Sequence, residues 1–245
     1  MNSNKRWAPS LAALSLLLSA CATTSQLVTP MDFAGQSQQL PVSNRSRATG
    51  LLVDESFNLG PYRVTGIAGK SSSSANSTTL NGVKTENRRS GFNFHLLGGP
   101  SGQTEMAGRC ESRAQELSTK PAFGISQEQG RSLFSCVCRS SDQRHEALLS
   151  IAGDHARQGR SSSTSLSLAI TVDGKNYGVG RYGGNGQSIP ADEPFYGYFV
   201  DGPQGAVAAL GLSFPGTVWL HDRLPGPQRD AMTCALAGLM LHRGP

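Results

Sequence analysis

The sequence predicts a mainly β protein, in which an antiparallel barrel of roughly ten or more strands wraps around a buried, hydrophobic C-terminal helix. Two observations support this fold class. Short runs with strand-like alternation are separated by Gly, Asp, Asn and Ser, in a chain with 29 glycines and only 16% charged residues. Near the C-terminus the pattern changes, because residues 231–241 are apolar except for one threonine.

The clearest strand covers residues 164–172, in which Leu166, Leu168, Ile170 and Val172 share one face. Asp173-Gly174 then provides a turn into a second strand over residues 175–182. Further strand-like runs cover residues 92–96, 131–139, 146–152, 195–200, 206–214 and 217–221. The serine-rich segments 71–79 and 161–163 are predicted to be loops.

The C-terminal helix is predicted over about residues 227–242, with Pro227 at its first position. Only Thr233 is polar within residues 231–241, so this helix has no face suited to water. Eleven residues span only ~16 Å, too little to cross a membrane, and the helix must therefore be enclosed by protein. Small residues would let the enclosing backbone approach closely, namely Ala235, Ala237 and Gly238.

The strand pair over residues 196–214, the run Gly216-Thr217-Val218-Trp219-Leu220 and the helix from Arg229 to Leu241 resemble the tubby C-terminal-like barrel, found in tubby and in phospholipid scramblases. The resemblance is architectural and covers roughly residues 50–243. It implies contact with lipids or phosphoinositides, but no basic phosphate-binding motif is matched and no binding residue is transferred. The alternative fold is a β-sandwich with a packed C-terminal helix.

The N-terminus has the features of an export signal. Lys5 and Arg6 precede an apolar run over residues 11–18, and Leu18-Ser19-Ala20-Cys21 follows. These residues resemble the lipobox of bacterial lipoproteins, which implies cleavage of residues 1–20 and acylation of Cys21, with palmitate among the attached chains. The alternatives are an ordinary signal that ends at Ala20, or a transmembrane anchor, for which an eight-residue apolar run is too short.

Ala22, rather than Asp, follows the lipidated position, which on family analogy favours the outer membrane. We expect a lipid-anchored protein that faces the periplasm rather than the cell exterior. Residues 21–49 are polar and aperiodic and are predicted to form a flexible tether that lets the protein stand tens of ångströms off the membrane. Residues 50–245 would form a single β-rich domain.

The charge balance excludes one class of partner. Loss of residues 1–20 removes two of the 22 basic side chains. The remaining 20 basic and 17 acidic side chains give a net charge of +3. This excess is too small to indicate nucleic acid binding. The membrane, through the lipid, and an envelope protein or lipid are the expected partners.

Four cysteines remain besides Cys21, and an even number in an oxidising compartment suggests disulfides. Cys136 and Cys138 share one face of a predicted strand, so each would bond elsewhere. We expect a disulfide between Cys110 and either Cys136 or Cys138. Cys234 lies in an apolar segment and is expected to remain a buried thiol. A zinc site is the rival interpretation, although the spacing does not fit zinc fingers.

No catalytic, metal-binding or cofactor-binding motif stands out. Residues 178–183 match GxGxxG, but the glycine-rich stretch that follows cannot start a helix, so a strand end is expected. HExxH and GxSxG are absent from the sequence. Asp154-His155 could form a pair in a loop, whereas Asp54 and Glu55 would face opposite ways on a strand and do not suggest paired-acid catalysis.

Trp219 and His221 share one face of the last predicted strand and form the candidate surface site, although packing is the ordinary role of a strand Trp. Asp230 is expected to lie in the first turn of the helix and to stabilise it through a favourable interaction of its carboxylate with the helix dipole. The sequence therefore predicts a non-enzymatic binding or assembly module of the cell envelope. The alternatives are a carrier of lipids or other lipophilic ligands, and a hydrolase of envelope polymers.

Overall fold

The computed structural model describes residues 27–45, 56–69, 73–119, 124–191 and 193–242. Within these ranges the chain forms thirteen antiparallel strands and two helices. The strands are β1 (Ser37–Ser43), β2 (Phe57–Leu59), β3 (Tyr62–Ala68), β4 (Ser73–Leu80), β5 (Val83–Gly98), β6 (Thr104–Thr119), β7 (Gln127–Ser140), β8 (Glu146–Gln158), β9 (Ser161–Val172), β10 (Lys175–Tyr182), β11 (Gly197–Gly202), β12 (Gly205–Gly211) and β13 (Thr217–His221). The helices are α1 (Met31–Ala34) and α2 (Gly226–Leu241).

Twelve of these strands close into a barrel. The sheet runs in the order β3-β2-β1-β13-β12-β11-β10-β9-β8-β7-β6-β5-β4, and an additional pairing of β3 with β5 closes it. Closure leaves β4 outside the barrel, paired with the first half of β5. The predicted antiparallel barrel is thereby confirmed, and the β-sandwich alternative is wrong.

The hairpin of β9 and β10 shows why the local sequence adopts this architecture. Asp173 and Gly174 have φ values of 48° and 78°, the left-handed pair that a tight hairpin turn requires. β10 has the predicted bounds, and Ile170 and Val172 are fully buried on the predicted face of β9. The alternation of apolar residues thus places one face of each strand inside the barrel.

Helix α2 fills the interior. Every residue from 231 to 241 is buried, and the helix lies against β6, β7, β8 and β9, with further contacts to β12 and β13. Its one polar side chain in that stretch, Thr233, donates a hydrogen bond to the Arg229 carbonyl at 2.8 Å. The expectation of a helix enclosed by the sheet is confirmed. In the described part of the chain, neither helix is long and apolar enough to cross a membrane.

Polar contacts fix both ends of α2. Asp230 accepts hydrogen bonds from the hydroxyls of Tyr62 (2.6 Å) and Thr104 (2.7 Å), which lie on the barrel wall. At the other end, Arg45 donates to the Met240 carbonyl at 3.2 Å. The helix begins at Gly226, so Asp230 lies beyond its first turn. The expected interaction of Asp230 with the helix dipole is replaced by these two hydrogen bonds from hydroxyl groups.

Two disulfides hold the barrel and the helix together. Cys110 and Cys136 face each other directly on β6 and β7 and are bonded, which is one of the two pairings that the sequence left open. Cys138 is bonded to Cys234, so β7 is linked covalently to α2. The expectation that Cys234 remains a free thiol is therefore wrong.

The N-terminal part of the chain belongs to the fold. Residues 37–43 form β1, which pairs with β13, and Leu27 and Phe33 are buried on the outer wall of the barrel. The prediction of a flexible tether through residue 49 is wrong for residues 27–45. Only six positions separate Leu27 from Cys21, a reach of at most about 21 Å, so the expected distance of tens of ångströms between protein and membrane is shortened.

Residues 1–26, including Cys21, and residues 46–55, including Asp54 and Glu55, lie outside the described residues.

The serine-rich segments 71–79 and 161–163, predicted to be loops, contain strands wherever the structure describes them. Residues 73–80 form β4, and residues 161–163 begin β9. These segments lack apolar alternation because neither of their faces is buried, and this explains why the hydrophobic pattern did not reveal them.

Candidate functional site

Trp219 and His221 do share the outer face of β13, but the N-terminal segment covers them. His221 is 5% exposed, and its ring lies 6.1 Å from that of Phe33. Its Nδ1 accepts a hydrogen bond from the Arg223 amide at 3.1 Å. Trp219 packs at the edge of the small apolar cluster that contains Leu27 and Phe33. The two residues therefore have a packing role, and the prediction of a surface site there is wrong.

The Asp154-His155 pair is also separated. Both residues lie on β8, where neighbouring side chains point to opposite faces. Asp154 lies 3.4 Å from the Arg131 guanidinium, and His155 lies on the other face above Gly130. The expected loop pair does not form.

A different His–carboxylate pair is present at the turn end of the barrel. His145 Nδ1 lies 2.9 Å from Asp173 Oδ2. The nearby Ser140 hydroxyl donates to Asp142 at 2.6 Å and accepts from the His145 backbone amide at 3.1 Å. Because this serine contacts the histidine through the backbone, the arrangement stabilises the β7–β8 turn and does not form a nucleophile–base pair.

The GxGxxG match lies where the sequence predicted a strand end. Residues 178–182 belong to β10 and pair with β11, and a turn follows. Among the described residues, no group of three or more His, Cys, Asp and Glu side chains is placed to hold a metal ion.

The largest feature outside the barrel is a sheet that the long strands form beyond its rim. We call it the projecting sheet; it consists of residues 73–80 of β4, 83–91 of β5, 111–119 of β6, 127–133 of β7, 152–158 of β8 and 161–167 of β9. About eight residues per strand extend it by about 27 Å. Within its described side-chain positions only Gly130 is buried, so both faces are accessible to water.

Eleven charged side chains lie on its four inner strands. They are Lys84, Glu86, Arg88, Arg89, Glu111, Arg113, Glu116, Glu128, Arg131, Asp154 and Arg157. Six are basic and five are acidic, so the sheet is almost neutral. This balance gives no preference for a ligand of either sign.

Most of these charges neutralise one another at the surface. Glu86 contacts Arg88 at 2.6 Å and Lys84 at 3.3 Å, and hydrogen bonds from Arg88, then from Lys84, lower the pKa of Glu86. On the opposite face, Glu111 contacts Arg113 at 3.2 Å. Exposed pairs of this kind add little to stability.

Both faces carry shallow, open depressions. One on the inner face, which continues the interior surface of the barrel, has a volume of about 550 Å³ and is lined by Thr79, Lys84, Glu86, Glu116, Glu128 and His155, among others. The outer face carries depressions of about 520, 540 and 410 Å³, and the last of these includes Arg89, Arg113 and Arg131 with Asn87 and Gln115. The Gln115 amide donates to Asn87 across the strands at 3.2 Å. These are mixed, hydrogen-bonding surfaces, and they lack the apolar enclosure of a small-molecule pocket.

The projecting sheet and the N-terminal segment lie on opposite sides of the barrel. Leu27 and Phe33 pack on the wall that β11, β12 and β13 form. In the twelve-strand barrel, β6 and β7 lie about six strands away from that wall, and therefore on the opposite side of the barrel. The chain therefore enters on one side and presents its exposed sheet from the other.

The sequence signal for the projecting sheet is weak, because residues 83–91, 111–119, 127–133 and 152–158 carry mostly polar side chains at both alternate positions. Without knowledge of the strand pairing, this pattern does not distinguish a strand with two exposed faces from a loop. In comparisons with known proteins, no family model, curated protein or solved structure matches this chain.

Proposed function

We propose that this chain is a lipid-anchored envelope protein that acts as a non-enzymatic binding or assembly module, with the projecting sheet as its contact surface. The observation that carries the proposal is the sheet itself. Its six strands extend beyond the barrel with both faces exposed and no apolar core of their own. Because a sheet without an apolar core adds little to the stability of the barrel, contact with a partner explains its presence better than a structural role does.

The position of the N-terminus supports this arrangement. The lipobox-like residues support a lipid on Cys21, which would lie six positions before the buried Leu27. A lipid there would hold the wall of β11, β12 and β13 close to the outer membrane, on its periplasmic side. The projecting sheet would then rise from the side of the barrel turned away from the lipid.

The filled interior favours this function over that of a carrier. A lipophilic ligand needs an apolar cavity, but Leu236, Leu239 and their neighbours on α2 occupy the centre of the barrel. The tubby-like architecture, which implies lipid contact in that family, is compatible with a contact through the surface. The almost neutral projecting sheet favours a protein partner over an anionic lipid headgroup.

The hydrolase alternative receives no support from the His145–Asp173 pair. Its neighbouring serine is held by turn contacts, and the pair lies at a hairpin end. A hydrolase of envelope polymers would need clustered carboxylates or a base next to a nucleophile within a cleft.

The anchor is tested with Cys21→Ser in the native host. We expect the wild-type chain to incorporate labelled palmitate and to fractionate with the outer membrane, since several buried acyl chains hold a protein firmly on a bilayer. The variant should incorporate none and leave that fraction. Labelling of the variant, or its unchanged fractionation, would refute the lipid anchor.

The contact surface is tested by photo-crosslinking in cells. A photoreactive residue placed at Thr85 on the projecting sheet should give protein adducts of defined mass. The same residue placed at Lys175, an exposed position at the β9–β10 hairpin, is the matched control and should give none. Adducts from Lys175 but not from Thr85 would contradict the proposal.

A further inference from the structure

Each outer strand of the projecting sheet leaves one backbone edge unpaired. β4 pairs with β5 through all of Ser73–Leu80 and has no strand neighbour on its other side within the described ranges. β9 pairs with β8 along its whole length but meets β10 only from Ala169 onward. Residues 161–168 therefore form a second open edge, about as long as the first.

These edges lack the usual protection against strand addition. Natural edge strands carry charges, especially Lys, or Pro, or bulges, which discourage pairing with another chain. Residues 73–80 read Ser-Ser-Ala-Asn-Ser-Thr-Thr-Leu and residues 161–168 read Ser-Ser-Ser-Thr-Ser-Leu-Ser-Leu, with no charge and no proline in either. All eleven charges of the projecting sheet lie on the four strands between them. This distribution is the reverse of a protected sheet.

We propose that the projecting sheet joins copies of this chain edge to edge, with β4 of one copy pairing with β9 of the next. Five antiparallel pairings separate the two strands, so β4 and β9 run in opposite directions. A β9 placed beside the β4 of a second copy continues the antiparallel alternation without a break. Backbone hydrogen bonds would supply the affinity.

A second copy fits because the two edges match each other. Thr78 and Ser163 belong to the same cross-strand row on the outer face, which runs from one edge of the sheet to the other through Thr85, Leu117, Gln129 and Ala156. When rows stay aligned between copies, Ser163 of one copy lies opposite Thr78 of the next, and such hydroxyl pairs hydrogen-bond across strands.

The predicted contact joins two different surfaces of the same chain. Such heterologous pairing generates an open row of copies unless a rotation closes it into a ring. Six strands, each turned by about 20–25° from its neighbour, rotate successive copies strongly and favour a twisted row. This inference rests on the proposed function in taking the projecting sheet as the contact surface, and it names a second copy as the partner.

The test is sedimentation velocity on the chain from residue 22, which retains every described residue, over a wide range of concentrations. The wild type should form a concentration-dependent series of oligomers. Asn76→Lys/Thr78→Lys on β4 and Ser163→Lys/Ser165→Lys on β9 should each weaken self-association by about tenfold or more, because they place charges on an edge. The control, Asn93→Lys/His95→Lys, changes exposed residues on the barrel half of β5, outside the projecting sheet, and should still assemble. Circular dichroism checks that each variant is folded.

Mixing the two edge variants gives the sharpest result. Each retains one intact edge, and the intact edges are complementary, so the mixture should form dimers and nothing larger. A wild type that stays monomeric, or a β9 variant that dimerises alone through β4, would overturn the pairing of β4 with β9. A monomeric wild type whose Thr85 photo-adducts contain a different protein would refute self-pairing and leave the proposed function standing.

Discussion

Gly238 of the central helix faces Cys136 of the barrel wall so closely that a methyl group at position 238 would lie 2.6 Å from the Cys136 sulfur. The same methyl group would lie 3.5 Å from the sulfur of Cys110, the disulfide partner of Cys136. Helix and wall therefore meet where a glycine lies against a disulfide. Real Cβ atoms do not approach other atoms to 2.6 Å, so this position accepts only glycine without a rearrangement.

Gly238→Ala tests this close approach. An alanine in a helix interior ordinarily stabilises by about 1 kcal/mol relative to glycine. Here the collision with the buried disulfide should reverse the sign and destabilise the fold by about 1–3 kcal/mol, measured by urea unfolding.

Gly226→Ala is the control, because a Cβ at that helix position meets nothing within 4 Å. We expect a neutral or slightly stabilising effect there. A Gly238→Ala variant as stable as the wild type would show that helix and wall are less tightly packed than described.

The two disulfides should differ in their contribution to stability. Cys138–Cys234 joins residues 96 positions apart, whereas Cys110–Cys136 joins residues 26 positions apart. The longer loop restricts the unfolded chain more, so the double variant Cys138→Ala/Cys234→Ala should lose about 1 kcal/mol more than Cys110→Ala/Cys136→Ala. Chemical unfolding of both variants measures the difference, and the opposite order would contradict this expectation.

The hydroxyl contacts of Asp230 should be energetically coupled. Tyr62→Phe removes a 2.6 Å hydrogen bond to the carboxylate and should cost about 1.5–3 kcal/mol, as other hydrogen bonds to charged groups do. Burial, reinforced by Asp230, raises the pKa of Tyr62 far above its ordinary value, so the phenol remains a donor at all physiological pH values.

A double-mutant cycle isolates the contact. In an Asp230→Ala background, Tyr62→Phe should cost much less than in the wild type, since the acceptor is gone. Equal costs in the two backgrounds would mean that the hydroxyl contributes through packing alone.

Acid sensitivity should arise in part from His242, whose ring stacks on Phe134 at a centroid distance of 4.0 Å. Burial lowers the pKa of His242 to about 4. Since the unfolded chain takes up this proton near pH 6.5, stability is complete above about pH 6.5 and falls as the pH drops towards 4, by at most about 3 kcal/mol.

His242→Phe retains the ring contact and removes the titration. Its free energy of unfolding should change less between pH 6.5 and pH 4 than that of the wild type. His95→Phe, at an exposed position, is the control and should keep the wild-type slope. If the free energy of unfolding of His242→Phe changed with pH as much as that of the wild type, this histidine would be excluded as a source of acid sensitivity.

The barrel and its helix could be predicted because burial leaves a periodic pattern. β10 and β13 have the expected bounds, and the apolar segment 231–241 indicated an enclosed helix without any knowledge of the strands. The bond between Cys138 and Cys234 could not be predicted, because only the folded topology brings β7 against α2.

The projecting sheet escaped prediction for the opposite reason. Neither face of β4 or of the first half of β9 is buried, so no apolar alternation marks these strands. β1 was missed likewise, because its sequence, Ser-Gln-Gln-Leu-Pro-Val-Ser, has only two buried side chains, Leu40 and Val42. The surface proposed to carry the function is thus the part of the fold that hydrophobic patterning cannot detect.

Helix α2 occupies the interior of the barrel, and the projecting sheet is therefore the surface proposed to carry the function. Native and denaturing mass spectrometry of the chain from residue 22, isolated from its own host, shows whether the helix alone fills this interior. We expect each copy to have the mass of the polypeptide with two disulfides in both spectra. An additional mass of several hundred daltons per copy that disappears on denaturation would reveal a bound small molecule, and it would contradict a filled interior in favour of a carrier.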